Sequence, residues 1–193
     1  TKIDVHNDVE SIGYAAFGGC INITEISLPF VGGKAYSSID QETDPKAKYF
    51  GYIFGEMLNS NQTKELYTNN KYNEYQKANQ GEYTFYIPDK LVTVSINDTD
   101  IIGEHAFENA TKIKNIYLTN AGNTKISTIK ESAFAGATSL LSIFIPNTVH
   151  NIGNYAFKDC ITMTTVVFET NNTGLATINE GVFYNGVMIN AVV

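Results

Sequence analysis

The sequence has no long apolar run. The longest stretches, such as Val187 to Ile189, span a few residues, against the ~20 that a membrane crossing needs, so no transmembrane segment is expected. It is also poor in cations, with 13 Lys plus Arg against 20 Asp plus Glu and a net charge of -7. The basic residues nowhere cluster, and a surface of that sign repels a phosphate backbone, which removes nucleic acid from the expected partners. Catalytic motifs are missing as well: there is no HExxH, P-loop, dinucleotide fingerprint or GxSxG. His6, His105 and His150 are widely spaced, and none has a Cys or carboxylate partner at metal-ligand spacing. No catalytic residue, cofactor or metal is expected. Thr1 is not followed by a basic and then apolar leader, so a secretory signal would have been removed or would lie outside this sequence.

What is present is a repeat. Segments opening at Ile12, Ile102, Ile129 and Ile152 align without a gap: IGYAAFGGCINITEISLP, IGEHAFENATKIKNIYLT, IKESAFAGATSLLSIFIP and IGNYAFKDCITMTTVVFE. Counting from the isoleucine, Phe17, Phe107, Phe134 and Phe157 occupy the fifth position, each preceded by Ala. Cys20, Ala110, Ala137 and Cys160 share a small eighth position, and apolar residues return at the eleventh, fourteenth and sixteenth, as in Leu140, Ile143 and Ile145. Such a period overrides any element-by-element reading. Ile3 and Val5 match the close of a preceding unit, while Ile178, Phe183, Gly186, Ile189 and Val192 begin a further one. The chain thus starts and stops in mid-repeat, as expected of a piece of a longer protein or of a tail completed elsewhere.

The L-x-x-L-x-L close of each unit alternates at its end, which makes a short strand with Ile143 and Ile145 inward and Phe144 outward. The Ala-Phe segment does not alternate and is expected as a turn or short helix on the opposite wall. The fold class is therefore an α/β repeat: a leucine-rich-repeat solenoid, one parallel strand per coil, forming a single domain over 1–193. Each Phe should pack on the Phe of the next coil. The pattern IG-x-x-AF-x-x-C-x-x-L-x-x-I-x-IP resembles the BspA-like leucine-rich repeats over residues 1–29 and about 85–193, and LPFVGG and FGYIFG resemble an insertion in some members. That resemblance implies a secreted or surface-attached bacterial protein, with adhesion to host matrix proteins among the family's roles. The chain departs from the commoner leucine-rich pattern in lacking an Asn ladder.

From about 30 to 82 the period is broken by a Tyr- and Asn-rich insertion. Tyr83 to Ile96 recovers a degenerate coil, with Phe85 on the aromatic position and Leu91, Val94 and Ile96 on the apolar ones. Eight of the twelve tyrosines fall between Phe30 and Tyr86; they either fold back on the solenoid or offer rigid contact area to a partner. Tyr67, Tyr72 and Tyr75 are the candidates for the second role.

The two cysteines share one slot in coils at least three apart, roughly 14 Å at ~4.8 Å per coil, too far for a disulfide, which needs about 7 Å or less between Cα atoms. Both are expected as buried free thiols. The acidic turn Asn97 to Asp100 could hold a hard cation but reads more simply as a solvated turn. Sequons such as Asn22-Ile-Thr24 matter only in a eukaryotic secretory pathway. The outward column of the strands runs Ser27, Ser95, Tyr117, Phe144, Val167. Its three consecutive apolar members, Tyr117, Phe144 and Val167, form a candidate binding stripe on the concave face; alternatively they only stabilise cross-strand pairs. The expected function is a non-catalytic, monomeric, extracellular or cell-surface module binding a host or matrix protein or glycan through that face and the insertion. The competing readings are a structural spacer and, least favoured, an enzyme.

Overall fold

The computed structural model describes residues 1–38, 44–56, 74–78, 83–118, 125–169, 177–186 and 190–192, with the side chains of 74, 75, 77, 78 and 190–192 left out. The strands are β1 (Lys2–Asp4), β2 (Glu25–Leu28), β3 (Glu74–Ala78), β4 (Tyr83–Ile87), β5 (Thr93–Ile96), β6 (Ile101–Ile102), β7 (Asn115–Tyr117), β8 (Thr128–Ile129), β9 (Ser142–Ile145), β10 (Asn151–Ile152), β11 (Thr165–Phe168), β12 (Thr177–Ile178) and β13 (Asn190–Val192). The closing segment of every repeat joins one parallel sheet in the order β1-β2-β5-β7-β9-β11-β13. The opening isoleucines Ile102, Ile129, Ile152 and Ile178 lie in a second, narrow parallel sheet, β12-β10-β8-β6, and β3 and β4 make an antiparallel hairpin. The second sheet has no counterpart in the sequence reading, because two-residue strands are too short to show alternation.

The expected ring column is present. Phe107 and Phe134 stack at 5.4 Å and 6°, Phe134 and Phe157 at 5.0 Å and 1°, and Phe157 and Phe183 at 5.6 Å and 13°. Beside it the wall carries its own hydrogen-bond ladder: the amides of Phe107, Phe134 and Phe157 donate to the carbonyls of Ala133, Ala156 and Val182 of the next coil.

That wall consists of turns, and no α-helix occurs among the described residues. The cause lies in the backbone. The third position of each coil has positive φ at Ala15, His105, Ser132, Tyr155 and Gly181, and so does the seventh at Gly19, Asn109, Gly136, Asp159 and Asn185. A left-handed residue every four positions cannot belong to a right-handed helix, and costs roughly 1–2 kcal/mol wherever it is not glycine. The seventh position accordingly holds only Gly, Asn or Asp, the residues that tolerate that conformation best.

Two expectations of register are corrected. Phe85 does not enter the ring column; it packs with Tyr49 and Tyr83 in a small separate cluster. The rung is Phe50 from the insertion, 4.9 Å from Phe107, with its amide donating to Ala106 as a regular rung would. One turn later Phe54 touches Phe50 at 5.5 Å and Phe17 at 6.3 Å. A 3-10 turn at Phe50–Ile53 thus carries the column across the break. At the other end Ala191, not Val192, pairs with Val166, and Val192 pairs with Val167. The link from Phe183 to that strand is one residue shorter than the link from Phe157 to Val166, and a slip of one residue exchanges the two faces of a strand.

Candidate functional site

Parallel pairing sets the outward residues side by side: Asp4 opposite Ser27, Ser27 opposite Ser95, Ser95 opposite Tyr117, and Phe144 opposite Val167. The pairing of Asn115 with Ser142 puts Tyr117 in register with Phe144. Tyr117 is 50% exposed and Phe144 and Val167 are half-buried, so the structure brings the three stripe candidates together on the outer face of the large sheet. A parallel column of hydroxyl and amide side chains, Thr93, Asn115, Ser142 and Thr165, flanks them. At the other end of the face Ser27 is covered, its hydroxyl accepting from the Asn97 amide at 2.6 Å. Leu141, also 50% exposed, adds apolar surface just before β9. Repeat spacing carries no cue to it, because the same position holds Lys114 and Thr164 in the neighbouring coils.

The insertion candidates are not brought into this site. Tyr67 and Tyr72 lie outside the described residues, and Tyr75 is placed only through its backbone, paired with Tyr86 on the hairpin. Other tyrosines of this region are structural: Tyr49 of the insertion and Tyr86 just after it are buried, and the Tyr52 hydroxyl donates to the Asp44 carboxylate at 3.1 Å. Burial, then that carboxylate, raises the Tyr52 phenol above its usual value. Lys46 meets Glu56 at 2.5 Å and Lys48 meets Glu104 at 2.6 Å, and the Lys48 ammonium holds the Glu104 carboxyl below the ordinary carboxylate range.

Other polar groups are engaged locally. Asp98 of the acidic turn pairs with Lys125 at 2.6 Å, and no group of three or more His, Cys, Asp or Glu among the described residues could hold a metal. His6 faces Asp8 at 3.3 Å, His105 faces Glu108 at 3.4 Å, and His150 contacts the Thr148 carbonyl. The Glu108 carboxylate raises His105 above the ordinary imidazole value.

The two cysteines differ, against expectation. Cys160 is buried, with its thiol against the Phe134 carbonyl at 3.2 Å, and burial pushes it up to about 12. Cys20 is exposed. One thiol per chain should therefore react rapidly with Ellman's reagent near about pH 8 in the native state, and a second only on unfolding, since thiolate access governs the rate. Two fast thiols would contradict the burial of Cys160.

Six copies of the BspA type leucine-rich repeat region match residues 1–42 and 78–193. The chain belongs to the BspA-type leucine-rich repeat family. Neither the comparison with curated proteins nor that with solved structures gives a match. The gap between the matched stretches falls inside the insertion, the part of this BspA-type chain that leaves the period. The repeat architecture is that of an interaction scaffold, and no helix among the described residues is long and apolar enough to cross a membrane.

Proposed function

We propose that this BspA-type solenoid is a non-catalytic surface or secreted bacterial module that binds a protein through the stripe of Tyr117, Phe144 and Val167. The observation that carries this reading is the exposure of a large aromatic on a regular sheet face, in register with a second aromatic and a valine. Tyrosine and phenylalanine supply large rigid contact area at low entropic cost, and the hydroxyls and amides beside them suit the polar rim of an interface. Solenoids commonly present such a face to their partners. A spacer would have no use for an apolar stripe confined to one stretch of an otherwise polar face.

The test is binding to an array of immobilised extracellular matrix proteins and glycans, wild type against the Tyr117→Ala, Phe144→Ala double variant. Binding to a matrix protein should weaken at least about tenfold, while unfolding free energy falls by no more than about 1 kcal/mol, the scale of an exposed cross-strand pair. Unchanged binding, binding to glycans only, or a collapse in stability would each overturn the assignment.

A further inference from the structure

Asparagine recurs throughout the chain, yet only Asn185 is followed by glycine. Asn185 and Gly186 fill the seventh and eighth positions of the coil opening at Ile178, where the preceding coils hold Asn109 and Ala110, Gly136 and Ala137, and Asp159 and Cys160. The difference is chemical. Asparagine is a thermally labile residue, because its side-chain amide carbon is an electrophile that the next backbone nitrogen can attack to close a succinimide ring. A Cβ on that next residue crowds the approach and restricts the rotation it needs; glycine has none.

In the closed coil the Gly186 amide donates to the Phe183 carbonyl at 3.0 Å, and Asn185 is left-handed with φ 56°. The ring can therefore form only when this turn opens. The turn belongs to a thinly buried coil: Ile178 is 50% exposed and Phe183 half-buried, whereas Ile152 and Phe157 of the preceding coil are 0% exposed. Few buried apolar contacts go with a low free energy of local opening. Asn185 is itself exposed, so water reaches the ring once it has closed.

We infer that Asn185 is a site of spontaneous deamidation that loosens its own coil. The Gly186 nitrogen gives its proton to hydroxide and attacks the Asn185 side-chain carbon. A new N–C bond forms, the bond from that carbon to Nδ2 breaks, and the departing nitrogen takes a proton from water and leaves as ammonia. Water then opens the succinimide at either carbonyl, yielding aspartate or isoaspartate. The product disturbs the wall. The Asn185 Nδ2 donates to the Asp159 Oδ1 at 2.9 Å, so the aspartate product sets one carboxylate against another, and like charges that close repel. Isoaspartate also adds a methylene to the main chain beside the Tyr184 carbonyl, which accepts from the Asp159 amide at 2.8 Å.

The test incubates the whole chain in warm, mildly alkaline heavy-oxygen water and follows it by peptide mass spectrometry, with Asn109 as the reference for the same slot. Asn185 should take up heavy oxygen at least about tenfold faster than Asn109, and Gly186→Ala should slow that uptake at least about tenfold. Ala110 and Ala137 occupy the equivalent position, so the fold should accept that change, and an unaltered melting temperature verifies it. Asn185→Asp stands in for the aspartate product. In that variant the amides of Tyr155, Phe157 and Asp159, which donate to the carbonyls of Glu180, Val182 and Tyr184, should exchange hydrogen several-fold faster than in wild type. No heavy oxygen at residue 185, uptake indifferent to Gly186→Ala, or unaltered exchange in Asn185→Asp would each refute the inference.

Discussion

Phe134→Ala is expected to lower the unfolding free energy by about 3–5 kcal/mol, the range for deleting a fully buried ring. Phe134 is 0% exposed and stacks on Phe107 on one side and Phe157 on the other, so truncation opens a hole that the hydrogen-bonded wall cannot close. At roughly 2–4 °C per kcal/mol for a chain of this size, the melting temperature should fall by about 6–20 °C. Because a solenoid coil contacts only its neighbours, hydrogen exchange should rise most in the coil opening at Ile129 and in its two neighbours, opening at Ile102 and Ile152. A fall of only a degree or two would mean that the ring column is not the core.

The second large effect belongs to Gln76. This residue of the hairpin is 0% exposed; its carbonyl oxygen accepts from the Gly51 amide at 2.6 Å, and its amide nitrogen donates to the Ala106 carbonyl at 2.9 Å. One side chain thus replaces a peptide group in the wall ladder, joining hairpin, 3-10 turn and the coil opening at Ile102. Gly51 can be nothing larger, since a Cβ there would lie 2.2 Å from that of Phe85. In Gln76→Leu the Gly51 amide loses its acceptor while Ala106 keeps the Phe50 amide. A buried unpaired donor costs about 1–3 kcal/mol, which urea unfolding should show as a lowered midpoint with an unchanged slope. A variant as stable as wild type would mean that the hairpin merely decorates the solenoid.

The periodic part of the fold was legible because one residue type recurs at one spacing: the rings at 107, 134 and 157 and the outward column from Ser27 to Val167 follow from counting alone. The rung at Phe50 was not legible. Spacing to Leu91, Val94 and Ile96 points to Phe85, whereas the chain closes that coil with a ring delivered from 35 residues earlier in the sequence, a choice set by packing. The turn wall carries its signal in the Gly, Asn or Asp at every seventh position, and conformational tolerance of that kind leaves no hydrophobic trace. Exposure of Cys20 was not legible, because the repeat template treats its slot alike in every coil. The stripe followed directly from strand alternation.

The claim on which the rest depends is that the ring column crosses the insertion through Phe50. A double-mutant cycle between Phe50→Leu and Phe107→Leu measures it most directly, with Phe85→Leu and Phe107→Leu as the parallel cycle. Contact at 4.9 Å between Phe50 and Phe107 predicts a coupling of about 0.5–1.5 kcal/mol for the first pair and nearly none for the second. Coupling between Phe85 and Phe107, with Phe50 independent, would contradict the account.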